Sequence, residues 1–290
     1  MNWMKYRLVY FLISAIFIGA GVFGLIRWGL KLGVDFKGGA LLEYKVGKEF
    51  STEDASKKLK EAGVELNYIQ KSGNNTYLIK TAPLNPYYRE NVGTVLKNLT
   101  GDAEELRFEN VGPSIGPELI KKTVYAMLIA ATGILLWVAY QFKSIKFGTS
   151  AVLAMFHDSL VLIGSFALFG HFFGAEIDFL FVTALLTILS FSVHDTIVVY
   201  DRIRETRKKV GGSMTEMANM AASQTMVRSL NNSFTIIFML VALILLGGTT
   251  TTWFAVALLV GTISGTYSSP FVAVPILVTW DELEKKFKGG

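Results

Sequence analysis

The chain has 290 residues, of which 51% are hydrophobic and only 18% are charged. Soluble domains carry about a quarter charged residues, and the apolar residues here are gathered into long runs, so composition excludes an ordinary soluble protein. The net charge of +5 comes largely from Lys and Arg beside those runs, which indicates membrane orientation and not nucleic-acid binding. Cysteine is absent, which excludes disulfide bonds and thiolate metal sites.

Six apolar runs are long enough to cross a bilayer, which takes about 20 helical residues. The sequence therefore predicts a multi-pass membrane protein with six transmembrane helices. The runs cover roughly 8–29, 123–141, 148–170, 177–200, 229–247 and 253–279.

The one long polar stretch, residues 31–120, separates the first two runs and has the pattern of a small α+β domain. Its expected elements are a strand at 40–46, a helix at 51–62, strands at 64–71 and 75–81, a helix at 86–99 and a strand at 103–110. Ser51 is the predicted N-cap of the first helix, and Pro86 opens the second. The order β-α-β-β-α-β predicts a ferredoxin-like domain.

Between the fourth and fifth runs, Ser213 and Glu216 form a capping-box pattern that predicts a helix start. The residues that follow, up to Arg228, have loosely helical apolar spacing. Two interpretations remain open for this stretch: a short helix lying along the membrane surface, or a helix packed on the bundle.

The last run contains small residues and two prolines. Gly261 and Gly265 form a G-x-x-x-G pattern, which predicts close packing of helix backbones in lipid. Pro270 and Pro275 are expected to kink this helix or to divide it into two halves.

The distribution of Lys and Arg predicts the orientation of the chain. Basic residues precede the first run, separate the second from the third and the fourth from the fifth, and follow the sixth, whereas the loops after the third and fifth runs have none. The positive-inside rule then places both termini in the cytoplasm. The predicted organisation is a cytoplasmic N-terminus and first helix (1–30), an extracytoplasmic domain (31–120), five helices with a cytoplasmic loop at 201–228 (121–280), and a cytoplasmic tail (281–290).

Ionisable residues inside the apolar runs are the candidate functional groups, because a charge at membrane depth costs at least about 2.5–3.5 kcal/mol and is usually paired and functional. Asp195 shares a helix face with Ser192 and Arg202, and Arg228 enters the membrane from the same predicted side. Such a carboxylate and cation can bind and release a proton, or they can form a static clamp between two helices.

The remaining polar residues at membrane depth allow more than one role. Asp158 has no evident cation partner in the sequence, so a hydrogen bond between packed helices competes with a proton-relay role there. His157 is expected to pack or to donate a hydrogen bond to another helix. His194 has a side chain of the type that exchanges protons most readily at physiological pH, so it could pass protons to water on the cytoplasmic side. Arg202 and Arg204 are expected to pair with Glu205 and Asp201 at i,i+3 spacing.

Several motifs together resemble those of the SecF family, within the SecD/SecF group of the RND-like superfamily. They are SFSVHDTIVVYDRIRE (190–205), GVDFKGG (33–39), VGPSIG (111–116), the His-Asp pair 157–158 and GTYSS (265–269). The chain departs from the family where Ser190-Phe191 replaces Gly-Tyr and where Arg228-Ser-Leu-Asn-Asn-Ser233 stands in place of R-T-x-x-T-S, which keeps the Arg but turns one hydroxyl into an amide. His194 stands where relatives often have Asn, so it is not expected to be obligatory.

This resemblance implies a fold and a role. The fold is an RND-like half bundle of six helices with a ferredoxin-like external domain, in the bacterial plasma membrane. The implied role is proton-driven protein export through the Sec pathway, with Asp195 and Arg228 at the positions of the family's proton-relay residues. Implied partners are SecD, the SecYEG channel, secreted preproteins, membrane lipid, and YajC-like and YidC-like accessory proteins. Enzymatic catalysis, a metal and a cofactor other than the coupling proton are not expected.

The glycine-rich segment after the first helix has a predicted structural role. Gly33, Asp35, Gly38 and Gly39 are expected to fix how the external domain joins the first helix, with a simple linker as the alternative.

Two other functions compete with proton-driven protein export. They are half of an RND-type exporter of small molecules or lipids, and a scaffold that only stabilises the translocation channel.

Overall fold

The computed structural model describes residues 1–112 and 115–288. Pro113 and Ser114 of the VGPSIG motif, and the last two residues of the predicted tail, lie outside the described residues. Contacts divide the chain into two compact units, one of Leu32–Val124 and one of Met1–Lys31 with Tyr125–Gly290.

The smaller unit confirms the predicted β-α-β-β-α-β order. A short helix absent from the predictions, α2 (Val34–Lys37), precedes the first strand. The elements that follow are β1 (Gly39–Val46), α3 (Thr52–Glu61), β2 (Leu66–Gly73), β3 (Thr76–Thr81), α4 (Pro86–Thr100) and β4 (Ala103–Val111). All strand pairs are antiparallel, in the order β2-β3-β1-β4, which is the ferredoxin-like arrangement.

Capping side chains begin both long helices of this unit where the sequence predicts. Ser51 Oγ accepts a hydrogen bond from the Asp54 backbone N–H at 3.4 Å, and Asn85 Oδ1 accepts one from Tyr88 at 2.9 Å. Pro86 occupies the first turn of α4, where its missing N–H costs nothing. Each cap contributes about 1 kcal/mol to helix stability.

The smaller unit has its own hydrophobic core. Leu42 and Ile79 from the sheet and Leu59 and Leu96 from the two helices are fully buried against one another. Each such side chain contributes about 1.5–3 kcal/mol by leaving water. The sheet and its two helices therefore form a self-contained packing layer.

Among the described residues, six candidate spans have the length and hydropathy to cross a membrane, which confirms the six predicted membrane helices of the larger unit. Its helices are α1 (Arg7–Trp28), α5 (Ile115–Phe142), α6 (Ile145–Phe173), α7 (Phe179–Lys209), α8 (Met214–Leu246), α9 (Thr249–Ser268) and α10 (Val274–Lys288), and a π-helical turn, Ser269–Ala273, joins the last two.

Burial distinguishes central from peripheral helices. Half or more of the most apolar 18-residue stretch is buried in α6 (50%), in α7 (56%) and in the last span, α9 with α10 (56%). The corresponding share is 17% for α1 and 11% for both α5 and α8. The centre of the bundle is therefore formed by α6, α7 and α9.

Glycines set the close approaches between helices. Gly261 and Gly265 of α9 face Ile188 and the Ser192 backbone of α7 so closely that a Cβ would collide with the first and crowd the second. This confirms the packing role predicted for the G-x-x-x-G pattern. At the crossing of α1 and α6, a Cβ on Gly21 would lie 2.7 Å from the Cα of Gly164.

The predicted interruption of the last membrane helix is confirmed at Pro270. Proline lacks the N–H that an α-helix needs at this position, and the chain forms the π-helical turn there. Pro275 is the second residue of α10, directly after this turn.

The stretch before the fifth apolar run corrects one expectation. The capping box is confirmed, because Ser213 N–H donates to Glu216 Oε2 at 3.0 Å and Glu216 N–H donates to Ser213 Oγ at 3.3 Å. The helix that it begins is not a separate short one, since α8 continues unbroken into the membrane span. Met217 and Ala218 are buried in the bundle core, so this stretch packs on the bundle and does not lie free on the membrane surface.

A small network joins α4 to the sheet of the smaller unit. Tyr44 Oη donates to Glu105 Oε2 at 3.0 Å, and Arg89 Nε donates to the same oxygen at 3.2 Å. The hydrogen bonds from the Arg89 guanidinium lower the pKa of Glu105 below its ordinary value of 4.5.

Because the folded-state pKa of Glu105 is lowered, its ionised form stabilises the fold above about pH 4.5, and that contribution is lost as the pH falls further. We expect Glu105→Gln to speed hydrogen exchange of β4 amides at neutral pH, with the difference shrinking under acid conditions. Glu104→Gln, a change at the exposed neighbour, is the matched control. Equal exchange in both variants at neutral pH would contradict the role of the network.

The α1–α6 crossing predicts a stability difference between two glycines of α1. Gly21→Ala should lower the free energy of unfolding by about 1–3 kcal/mol, because overpacking forces the helices apart. Gly19→Ala is the control, since nothing lies within 4 Å of a Cβ there and alanine favours the helix. Thermal unfolding in detergent measures both, and equal midpoints would show that the crossing does not depend on Gly21.

Candidate functional site

Two carboxylates are buried within the membrane spans. Asp158 in α6 is fully buried, and Asp195 in α7 is 5% exposed. Because an isolated charge in such a place is costly, the partners of each carboxylate determine what it can do.

Asp158 is held by serine hydroxyls from two neighbouring helices. Ser192 Oγ of α7 donates to Oδ2 at 2.5 Å. From α9, Ser264 Oγ donates to Oδ1 and Ser268 Oγ donates to Oδ2, each at 2.6 Å. One carboxylate thus joins the three central helices, which is the hydrogen-bonded packing that the sequence left open for this residue.

Sequence reasoning missed this group of serines as ligands of Asp158, although a signal was present. Ser264 and Ser268 are four residues apart, so they lie on one helix face, and both are buried. Their small size indicated only close packing. A pair of buried hydroxyls on one face of α9 is also the pattern that a buried acceptor on a neighbouring helix requires.

His157 contacts the same carboxylate. Its Nδ1 lies 3.1 Å from Asp158 Oδ1, and its side chain is only 8% exposed. The partner expected from the sequence was on another helix, whereas the observed partner is the next residue of α6. His157 and Asp158 therefore form one unit at the centre of the bundle.

Asp195 has a different partner from the one expected. Ser229 Oγ of α8 donates to Asp195 Oδ2 at 2.5 Å, and no ion pair joins Asp195 to Arg228 among the residues that the structure describes. Successive residues point about 100° apart around a helix, so only one of Ser229 and Arg228 can face α7 at this level. The serine occupies that position here.

Arg228 and His194 are both exposed. Arg228 lines a groove of about 480 Å³ that it shares with Asp201, Arg204 and their neighbours. Within this groove the predicted i,i+3 pairs are confirmed, since Arg202 Nη1 lies 2.5 Å from Glu205 Oε2 and Arg204 Nη2 lies 2.5 Å from Asp201 Oδ1. The structure thus places Arg228 one residue from the serine that binds Asp195, but not on the carboxylate.

Further hydroxyls continue the polar contacts of α7 beside the two carboxylates. Thr196 Oγ1 lies 3.0 Å from Ser269 Oγ of the π-helical turn, and Tyr200 Oη lies 2.6 Å from Ser150 Oγ of α6. Helix α7 therefore makes polar contacts to α6, to α8 and to the π-helical turn that follows α9. Across residues 1–112 and 115–288, no group of three or more His, Cys, Asp or Glu residues is placed to hold a metal ion.

Backbone conformation and close packing explain the glycines of the segment after α1. Gly38 and Gly39 have φ values of +78° and +141°, which favour glycine, and a Cβ on Gly39 would lie 2.7 Å from the Thr81 carbonyl oxygen. Gly33 is the N-cap of α2, and Asp35 lies within that helix. The motif therefore forms a tight turn that leads into β1.

Fold and site together define a multi-pass membrane protein with a small α+β domain between its first two membrane helices and carboxylates in its bundle core. Comparisons with known proteins agree. The model of the protein export membrane protein SecD/SecF C-terminal domain matches residues 91–283, and the model of the SecD/SecF GG motif matches residues 29–49. The chain belongs to the SecD/SecF family.

Individual relatives are similar along the whole chain. The protein translocase subunit SecF of Thermobaculum terrenum is 40% identical, covering 96% of this chain and 93% of the relative, and that of Anaerolinea thermophila is 36% identical, covering 100% and 98%. The crystal structure of SecDF from Thermus thermophilus, described as a translocon-associated membrane protein, matches with a TM-score of 0.83 and 31% identity. That match covers 97% of this chain but 39% of the longer SecDF chain.

The Asp158 cluster predicts a stability difference between two buried serines. Ser192→Ala should lower the free energy of unfolding by about 1.5–3 kcal/mol, because it removes a hydrogen bond to a carboxylate. Ser159→Ala is the control, since Ser159 is equally buried but bonds only the Met155 carbonyl of its own helix. Unfolding in detergent measures the difference. Equal losses would show that the Ser192–Asp158 bond contributes nothing specific.

Proposed function

We propose that the chain works as a SecF-type subunit that uses the proton gradient to promote the export of polypeptides through the Sec pathway. The observation that carries the proton-driven step is the buried Asp195 carboxylate, bonded to Ser229 with Arg228 at the adjacent position of α8. A Sec role is supported by the whole-length similarity to SecF translocase subunits.

Two states of Asp195 follow from this geometry. With Ser229 as its hydrogen-bond partner, the side chain is best kept neutral by a proton, because no cation contacts it among the described residues. An ionised Asp195 would require a cation, and Arg228 is the nearest candidate along α8. Release of the proton is therefore coupled to a shift of α8 that replaces the Ser229 hydroxyl with the Arg228 guanidinium.

Helix α8 is suited to such a shift. Only 11% of its most apolar stretch is buried within this chain, so few packed side chains resist a movement of that stretch, while Met217 and Ala218 hold the first turns of α8 in the bundle core. A switch between two partners on adjacent residues also gives two discrete arrangements, which is what coupling between a proton and a motion requires. His194, exposed beside Asp195, is the proposed proton donor and acceptor toward water, and Asp158 is the second relay candidate.

The proposed setting is the bacterial plasma membrane with both termini in the cytoplasm. The clustering of Lys and Arg at one end of the membrane helices supports this orientation, and it places residues 31–120 on the extracytoplasmic side. The turn at Gly38 and Gly39 would then fix how the external domain leaves α1.

The proposed partners are SecD, the SecYEG channel and the secreted polypeptides, within membrane lipid. A SecD partner is supported by the SecDF chain, of which this chain matches 39%. The exposed apolar faces of α5 and α8 are available to such a partner or to lipid. YajC-like and YidC-like proteins remain proposals from the family resemblance. Neither covalent catalysis nor a cofactor other than the proton is needed for this function.

The test is gradient-dependent export by membrane vesicles that carry this chain with its SecD partner and the channel. Asp195→Asn should reduce export to the level measured without a gradient, because the amide cannot exchange a proton, while the complex still assembles. Asp201→Asn is the matched control on the same helix, since Asp201 lies in the exposed groove and pairs with Arg204.

Normal gradient-dependent export by Asp195→Asn would overturn the relay and leave the scaffold as the function of the chain. Loss of assembly in this variant is checked by co-purification with SecD. Transport of a small molecule or lipid without any effect on polypeptide export would instead favour the exporter.

A further inference from the structure

A cavity of about 350 Å³ lies between α1, α6 and α9. Most of its wall is apolar, with Phe17, Val161 and Val260 among the lining residues, and the polar exceptions include Ser14, His157 and Tyr267. In the described part of the chain, no Asp, Glu, Lys or Arg lines it. The cavity has room for several water molecules, each of which takes about 30 Å³ in the liquid.

His157 has one ring nitrogen that its protein neighbours leave without a partner. Its Nδ1 contacts Asp158 at 3.1 Å, whereas its Nε2 is buried and has no hydrogen-bond partner among the described residues. A buried polar atom in this condition is destabilising. The cavity borders the His157 ring, and Nε2, which is covered in this structure, meets a partner there when the ring or a neighbouring side chain moves slightly.

The charge of the neighbouring carboxylate gives this nitrogen a chemical role. The three serines that bind Asp158 are neutral, so they solvate an ionised carboxylate but do not compensate its charge. Of the groups that contact Asp158 in the described residues, only His157 can become cationic. An ionised Asp158 is therefore compensated when His157 is an imidazolium.

The imidazolium form requires an acceptor on the cavity side, since both of its nitrogens are donors. Nδ1–H is directed to Asp158, so Nε2–H must find another oxygen. The titratable group that faces His157 from α9 is Tyr267, whose hydroxyl already donates to the Tyr10 carbonyl of α1 at 2.8 Å, and α1 itself adds the neutral Ser14. Water from the cavity, admitted by such a movement, would satisfy Nε2 without breaking these bonds.

We propose that the cavity is a hydrated proton-exchange site, in which water hydrogen-bonds to His157 Nε2 and the His157–Asp158 pair takes up and returns one proton. A hydronium ion in the cavity transfers its proton to Nε2, which leaves water and an imidazolium paired with the Asp158 carboxylate. The reverse transfer restores the neutral ring. This proposal extends the proposed function by adding a second proton site apart from Asp195. The use of this second site in export rests on the proposed function.

The test observes His157 directly, in the full chain labelled with ¹⁵N-histidine and reconstituted in lipid nanodiscs. Its resonances are assigned by their loss in His157→Gln. We expect a magnetisation-transfer peak between water and His157, and a change of the Nε2 shift from neutral to protonated imidazole as the pH is lowered. Absence of the water contact together with a constant Nε2 shift would overturn the proposal.

A pair of variants at Ser165 tests the cavity itself. Ser165 lines the cavity, and its hydroxyl bonds only the Val161 carbonyl of its own helix at 2.7 Å. Ser165→Leu should fill the space and remove both the water contact and the pH response, whereas Ser165→Ala should keep them. Val161→Phe fills the same cavity if Ser165→Leu does not fold. A water contact and pH response that survive filling would overturn the proposal.

The cavity proposal and the relay at Asp195 can fail independently of each other, and the two tests together distinguish these failures. In Asp195→Asn, the His157 signals should keep their water contact and pH response, although gradient-dependent export is lost. Silent His157 signals together with export that depends on Asp195 would overturn the cavity proposal alone. Responsive His157 signals together with export that does not depend on Asp195 would overturn the relay at Asp195 alone.

Discussion

The packing of the membrane bundle depends on the burial of the Asp158 carboxylate among serines of α7 and α9. Three hydroxyls at 2.5–2.6 Å fix the spacing and the rotation of the central helices, because a displaced helix would leave a buried acceptor without its donor. Gly261 and Gly265 are needed for the same hydrogen bonds. They let α9 approach α7 closely enough for Ser264 and Ser268 to reach a residue of α6.

Asp195 is held differently from Asp158, and the difference gives the two carboxylates separate roles: Asp158 holds the helices together, whereas Asp195 can change its partner. Asp158 has several donors from two other helices, whereas Asp195 has one serine from α8, a helix whose most apolar stretch is little buried in this chain. A carboxylate held by many partners resists change, and one held by a single partner beside an arginine can exchange that partner. The bundle thus combines a fixed centre with a carboxylate at a looser boundary.

Much of this architecture could be predicted from the sequence, because local patterns determine it. The apolar runs gave six membrane helices, and alternation, capping residues and turns gave the βαββαβ unit almost to the residue. The continuous α8 was not predicted, because the pattern at 211–228 indicates a helix but does not show that this helix continues into the fifth membrane span. The choice of Ser229 over Arg228 depends on helix rotation, which has no local signal. Ser264 and Ser268 share a helix face, but their bonds to Asp158 join residues more than 100 positions apart, so the local pattern does not identify their partner.

The most direct test of the central claim, that the protonation of Asp195 is coupled to a movement of α8 relative to α7, is a distance measurement. Cysteine is absent from the chain, so Lys208→Cys and Val227→Cys, both at exposed positions, can carry the only two spin labels. In lipid, the distance distribution between the labels should change between acidic and alkaline pH, and it should stay at its acidic form in the Asp195→Asn background. A distribution that is the same at both pH values in the otherwise unaltered chain would contradict the coupling.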